Sequence, residues 1–283
     1  MRVVILGARG MLGQELVRAF STHEVFAWDK QECNILDNMR ATMALDQAKP
    51  DILVNATGYN LVDQAEGEGR EMAQKLNVDA PTFLAAYAQA RDIPFVHYST
   101  AYVFDGTRGD GYAENDAPHP QSVYARTKHD GERAVMHAHP GAYVIRLNWL
   151  FGRAAQSPDA KRSFVDRIIT LARERSQLEL VDDEYGSITY APDLAQQTQT
   201  LLTEHPAGLY HAVNEGVATW YSWAEECFRL LDLHPHVTPV STTRFPRTVR
   251  PPACTVLHCT KCPPMRPWQD ALCAYLHSSD FIA

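Results

Sequence analysis

Residues 2–13 read Arg2-Val3-Val4-Ile5-Leu6-Gly7-Ala8-Arg9-Gly10-Met11-Leu12-Gly13: a continuous apolar run, then three glycines at three-residue spacing. A short run that is apolar throughout, rather than alternating, marks a strand buried on both faces, as in a parallel sheet. The glycines then divide the work. Gly7 permits a tight turn, Gly10 lets backbone N–H groups approach a pyrophosphate, and Gly13 lets the next helix pack closely on the sheet. The helix opening at Met11 turns its partial positive end toward the same anion. The spacing G-x-x-G-x-x-G alone recurs by chance; between a leading strand and a helix it points to a bound dinucleotide. Asp29 closes the next strand candidate, Glu24–Trp28, where a carboxylate accepts hydrogen bonds from an adenosine ribose and favours NAD. Lys30 and Arg9 pull the other way, because either cation can neutralise a 2′-phosphate. The choice between NADPH and NADH stays open.

Outward from this stretch, strand patterns at Asp51–Asn55, Pro94–Tyr98 and Ala142–Leu147 alternate with helical patterns at Met11–Phe20, Asp37–Ala48, Glu71–Arg91 and Val123–His139. Pro81 predicts a break or kink in the third helix. The alternation predicts an α/β fold with a Rossmann-type doubly wound parallel sheet. Beyond Trp149 the pattern loosens: helices over Ser163–Arg175 and Pro192–Glu204, strands over Leu178–Val181 and Leu209–Val213. Past Asn214 the alternation is lost. The expected division is a dinucleotide-binding Rossmann domain over 1–152, completed by 189–214, and a smaller α/β substrate-binding domain from 153–188 and 215–283.

The chain of 283 residues carries 26 Lys and Arg against 34 Asp and Glu, a net charge of −8, so neither nucleic acid nor an anionic membrane surface is an expected partner. No apolar run reaches the ~18 residues of a membrane-spanning helix. Arg2 followed by Val3–Leu6 is shorter than the roughly 7–15 apolar residues of a signal-peptide core. The six cysteines are then expected as reduced thiols and the protein in the cytoplasm. Cys254, His258, Cys259 and Cys262 invite a metal reading, but Cys273 is the only further cysteine nearby and has no spaced partner, so plain thiols are expected.

Tyr124-Ala125-Arg126-Thr127-Lys128 sets a phenol and an ammonium one helical turn apart. A nearby cation favours phenolate and is expected to lower the phenol's pKa from its ordinary value near ~10. Such a pair can exchange a proton with a carbonyl while hydride reaches its carbon. Ser99-Thr100 adds a hydroxyl at a strand's carboxyl end, where open α/β sheets bind ligands. The spacing Y-x-x-x-K recurs on ordinary helix faces. The ordered set of glycine turn, strand-end hydroxyl and Tyr/Lys helix is far more specific.

With those residues in place, the chain is similar almost end to end to the dTDP-4-dehydrorhamnose reductase family, within the extended short-chain dehydrogenases/reductases. The likeness runs through GARGMLGQEL, VNATGYNLVDQAE, STAYVFDG, YARTKHDGE, RLNWLFG, VDDEYGSITYAPDLA, TWYSWAE and RPPACTVLHCTK. It implies an oxidoreductase that reduces the 4-keto group of a dTDP-4-dehydro-6-deoxy sugar, dTDP-4-dehydro-L-rhamnose to dTDP-L-rhamnose, with NADPH or NADH. By the same resemblance Tyr124 is the proton donor, Lys128 holds the nicotinamide ribose and Thr100 binds the keto oxygen. Gly7, Gly10, Met11, Leu12, Gly13, Asp29, Asn34, Ile35, Ala56, Gly58, Tyr59 and Asn60 fall along the dinucleotide, and Trp149 and Arg250 join Thr100, Ala101 and Tyr124 on the sugar nucleotide.

The chain also departs from the family. Ala101 stands where an aspartate usually follows the threonine, which bears on the sugar more than on the reaction. Asn34 replaces an acidic residue; Glu184 and Ile188 replace glutamine and proline; His258 and Cys259 replace an Asp-Asn pair. Some relatives pair as homodimers around magnesium. A homodimer is carried as an expectation, whereas no residues here match the magnesium site. A dehydratase needs an acidic pair after the threonine, and Ala101 and Tyr102 are not one. The methionine adenosyltransferase regulatory subunit is a non-catalytic NADP-binding relative, and retention of Thr100, Tyr124 and Lys128 argues against that role. Arg244, Arg247 and Arg250 offer cations suited to a diphosphate. Trp220, Tyr221 and Trp223 read as core.

Overall fold

The computed structural model describes residues 1–156 and 162–281. Through residue 147 the chain runs β1 (Arg2–Leu6), α1 (Met11–Ala19), β2 (Glu24–Trp28), α2 (Asn38–Ala48), β3 (Ile52–Asn55), α3 (Val62–Ala65), α4 (Arg70–Gln74), α5 (Ala80–Gln89), β4 (Phe95–Thr100), α6 (Val123–Ala138) and β5 (Tyr143–Leu147). It continues with β6 (Leu150–Phe151), α7 (Phe164–Glu174), β7 (Gln177–Val181), β8 (Tyr185–Gly186), β9 (Thr189–Tyr190), α8 (Ala191–Glu204) and β10 (Gly208–His211). The remainder is β11 (Asn214–Glu215), β12 (Ala218–Thr219), α9 (Trp220–Leu230), β13 (His236–Val240), β14 (Cys254–Thr255), β15 (Met265–Pro267) and α10 (Trp268–Leu276).

One six-stranded sheet, in the order β10-β5-β4-β3-β1-β2, dominates the structure. Every pairing in it is parallel. Its central strands are apolar on both faces because both are covered. Val3 and Ile5 join Leu12 and Leu16 of α1 and Leu194 and Leu201 of α8 on one side. Val4 and Leu6 join Leu45 of α2, Leu84 of α5 and Phe95 on the other. The winding reverses between β1 and β3, the switch point outside whose carboxyl ends a ligand crevice opens. A second core, rich in aromatics, is built from later segments, with Phe151, Tyr190, Trp223, Trp268 and Tyr275 packed together.

Pro81 does not break its helix. It lies in the first turn of α5, directly after a widened π turn over Lys75–Asp79, and the flanking Gln74 and Ala80 keep helical angles. A proline in that position loses little, since its missing N–H falls where the hydrogen-bond ladder is already rearranged. The helix is therefore continuous from Arg70 to Gln89.

Candidate active site

The glycine turn fits an anion by construction. Gly7 has φ +79°, and its carbonyl accepts a hydrogen bond from the Gly10 N–H at 3.0 Å. A Cβ on Gly13 would lie 2.0 Å from the Gly7 oxygen, and one on Gly7 3.0 Å from the Ala56 backbone. α1 begins with Gly10 as its N-cap and no side chain capping it, so the first-turn N–H groups, those of Met11 and Leu12 included, are offered to a ligand. Leu12 itself sends its side chain into the core. Ala8 N–H donates to the Trp28 carbonyl and Arg9 N–H to Asp29 Oδ2 at 3.3 Å, which draws the turn onto the end of β2. Further along that edge Asn34 is exposed and Ile35 buried.

Opposite, the exit of β3 is held from behind. Asn55 Oδ1 accepts from both the backbone and the hydroxyl of Thr57. Asn77, fully buried in the π turn, accepts from Tyr59 N–H at 2.9 Å and donates to the Tyr59 carbonyl and the Thr127 hydroxyl. These bonds tie the segment from Ala56 to Asn60 to α6. A Cβ on Gly58 would lie 3.8 Å from Lys128 Nζ, so the ammonium sits at this edge of the crevice. Gly131, on the next turn of α6, leaves room for the Asn77 carbonyl, which a Cβ would meet at 1.9 Å.

α6 starts at Ser122, whose hydroxyl accepts from Ala125 N–H at 3.1 Å. Tyr124 and Lys128 lie on its buried side, and Thr100 ends β4 beside them. Lys128 Nζ donates to the Tyr98 carbonyl at 2.6 Å. Here the structure corrects one expectation. Burial raises the Tyr124 pKa, the Thr100 hydroxyl opposes that only in part, and the expected lowering by Lys128 is absent because the ammonium is turned to the Tyr98 carbonyl. Burial also pushes Lys128 down to about 8, with the Glu132 carboxylate opposing. At neutral pH the phenol therefore holds its proton and the amine is mostly charged.

Behind them, Arg146 binds Glu132 through two hydrogen bonds of 2.8 and 2.7 Å, with both side chains buried. Burial alone would raise the Glu132 pKa; the hydrogen bonds from Arg146 and His129 outweigh it and bring the carboxyl to about 2.

The far wall comes from late segments. Trp149, at φ +34°, stacks on Trp220 with centroids 3.9 Å apart, and both are half-buried. Trp220 Nε1 donates to Glu184 Oε2 at 2.8 Å, Arg247 reaches Glu184 Oε1 at 3.4 Å, and Thr242 also donates to this buried carboxylate. Trp223 is core, as expected, but Trp220 is not wholly so. Tyr102 meets the Tyr124 ring edge-on at 6.1 Å and feels the charges of Glu184, Arg247 and Asp63.

One of the expected substrate residues sits elsewhere. Ala101 has no exposed surface and packs among Val103, Phe104, Tyr112, Val213 and Leu257, so it cannot touch a sugar. Arg250 is exposed and faces Asp183, while Arg244 is taken up by Glu179; of the three arginines, Arg247 turns to the buried Glu184. Asn77, Tyr102, Glu132 and Arg247 were not among the predicted site residues. Arg247 stood out only as one cation of three, and no local pattern marks a π turn at Asn77. The cysteines are all free, with Cys262 Sγ against the His211 carbonyl at 3.7 Å. Among the described residues no group of three or more His, Cys, Asp or Glu side chains is arranged to hold a metal.

Comparison with known proteins shows the family to which the chain belongs. A Streptomyces antibioticus protein named "Probable dTDP-4,6-dihydroxy-2-methyloxan-3-one 4-ketoreductase" is 39% identical over 96% of this chain and 93% of its own. A solved dTDP-4-dehydrorhamnose reductase from Clostridium acetobutylicum superposes with a TM-score of 0.91 at 32% identity, covering 98% of both chains. Another from Bacillus anthracis, in complex with NADP, gives 0.90 at 29%, covering 97% of this chain and 98% of its own. The family described as the RmlD substrate binding domain matches residues 1–280, and the chain belongs to that family.

Proposed function

We propose that this protein reduces the 4-keto group of a dTDP-linked 4-keto-6-deoxy sugar with NADPH or NADH. One observation carries the reading: buried Tyr124 stands beside Thr100, and Lys128 Nζ lies by Gly58, on the segment whose start, Ala56 and Thr57, abuts the glycine turn at Gly7. The reductase names of the relatives supply the sugar class.

The nicotinamide, when bound, supplies hydride to C4. Tyr124 delivers its proton to O4 as that oxygen gains charge, so the carbonyl becomes an alcohol and the dinucleotide is left oxidised. The Thr100 hydroxyl donates a hydrogen bond to the same oxygen. Lys128, anchored on the Tyr98 carbonyl, keeps a positive charge at the edge of the crevice beside Gly58, where it would hold the nicotinamide ribose. Because these groups are buried, little solvent has to reorganise around them.

The reading assigns 1–152 with 189–214 to the dinucleotide and 153–188 with 215–283 to the sugar nucleotide, in a cytoplasmic homodimer whose size light scattering would report. No helix among the described residues is long and apolar enough to cross a membrane. The decisive experiment incubates the protein with NADPH and NADH across a panel of dTDP-4-keto sugars, dTDP-4-dehydro-L-rhamnose included, and identifies products. Tyr124→Phe should cut kcat by about 10²–10⁴-fold and leave dinucleotide affinity intact; an unchanged kcat rejects the assignment.

A further inference from the structure

The turn that follows β2 holds more charge than ribose recognition requires. Arg9, in the glycine loop, is already engaged in a half-exposed pair: its Nη2 donates to Glu32 Oε1 at 2.6 Å and its Nη1 to Gln31 Oε1 at 3.1 Å. The second oxygen of Glu32 accepts from the Asp29 N–H at 3.0 Å, which fixes the carboxylate in place. Asp29 in turn accepts from the backbone of Arg9 and of Lys30, leaving the Lys30 side chain exposed.

We propose that Glu32 decides which dinucleotide this protein prefers: by holding Arg9 at the exit of β2 it withholds the guanidinium from a 2′-phosphate and sets a preference for NADH. The inference rests on the dinucleotide reading above. In open α/β sheets an acidic residue about 20 positions past the glycine turn meets the 2′-hydroxyl, and a nearby arginine is what accommodates a 2′-phosphate. Asp29 is that acid and Arg9 is that arginine. A ribose hydroxyl donates to Asp29 at no electrostatic cost. A phosphate dianion there meets two carboxylates, Asp29 and Glu32, and gains Arg9 only if the Arg9–Glu32 pair opens. Lys30 remains as a screened surface charge, worth little by itself. The hydrogen bond from Asp29 N–H keeps Glu32 ionised, seconded by the Arg9 charge, so the hold on Arg9 persists at every pH where the enzyme would work.

The test is binding rather than turnover. Dissociation constants for NADH and NADPH are measured without sugar, by calorimetry, on the full chain, E32Q and the R9A/E32Q double variant. The amide that E32Q introduces can still accept from Asp29 N–H through its oxygen, so the variant removes charge without dismantling the turn, and a matched thermal unfolding curve confirms that. The wild type should bind NADH about tenfold tighter than NADPH. E32Q should tighten NADPH about three- to tenfold while moving NADH less than about twofold, the scale of one screened charge near a dianion. The added R9A should abolish that gain, because the freed guanidinium is its source. A wild-type preference for NADPH, a ratio unmoved by E32Q, or a gain that survives R9A overturns the inference. Failure of both nucleotides to bind overturns it together with the dinucleotide reading.

Discussion

The two walls of the crevice are held by different kinds of contact. On the sheet side, position is set by backbone and by buried polar bonds: a glycine cradle no Cβ can enter, Asn77 gripping Tyr59, and the Arg146–Glu132 pair behind Lys128. On the opposite wall it is set by side chains: the Trp149–Trp220 stack and an arginine loop that is largely exposed. The first wall admits almost no substitution, because each change strands a buried donor or drives atoms together. The second can change shape one residue at a time.

The contrast breaks first at the buried pair. Arg146→Met should cost about 3–5 kcal/mol, because it leaves Glu132 charged and unpaired in the core; a variant as stable as the wild type in urea would show that the pair is replaceable. The same group predicts acid sensitivity. The Glu132 carboxyl is held at about 2 in the fold, below an unfolded value near ~4.3, so its contribution is complete above the unfolded value and fades as pH falls toward the folded one. Urea titrations across that interval should show the loss in the wild type and not in Glu132→Gln.

Next comes Gly131→Ala, whose methyl would press on the Asn77 carbonyl. It should cost about 1–3 kcal/mol and weaken dinucleotide binding through Tyr59 and Lys128. Unchanged affinity in calorimetry would mean that the Asn77 grip does not position the crevice.

On the other wall, Trp220→Ala removes the support under Trp149. We expect the KM for the sugar nucleotide to rise about tenfold, the scale of one aromatic stack, with dinucleotide affinity unchanged. Equal losses of both would merge the two walls into one unit. The smallest effect belongs to Arg250→Ala, an exposed cation, for which the KM should move less than about threefold. A larger shift would put Arg250 in the sugar-nucleotide site and sharpen the boundary between the walls.

Much of this could be read before any coordinates. The parallel sheet follows from strands apolar on both faces, the cradle from glycines whose spacing has a steric reason, and the Tyr124/Lys128 geometry from helical period alone, since all three are local rules. Other features had no local signature. Pro81 reads as a break or kink, yet the helix runs on through a π turn that absorbs the proline and delivers Asn77 to Tyr59. Ala101 reads as a sugar contact by its place after Thr100, yet it is sealed in an apolar cluster. Tyr124 reads as a phenol acidified by its neighbour, yet burial raises its pKa.

The linear order of residues determined the fold class, the glycine turn and the placing of Tyr124 and Lys128 on one face of a helix, because each depends on neighbours a few positions away along one strand, turn or helix. Only the folded molecule decided which arginine faces Glu184, where the Lys128 ammonium points and which way the Tyr124 proton equilibrium moves. Those outcomes depend on desolvation and on partners outside the local turn or helix, as Glu132 and Arg146, 14 residues apart, and Glu184 and Arg247, 63 apart, are.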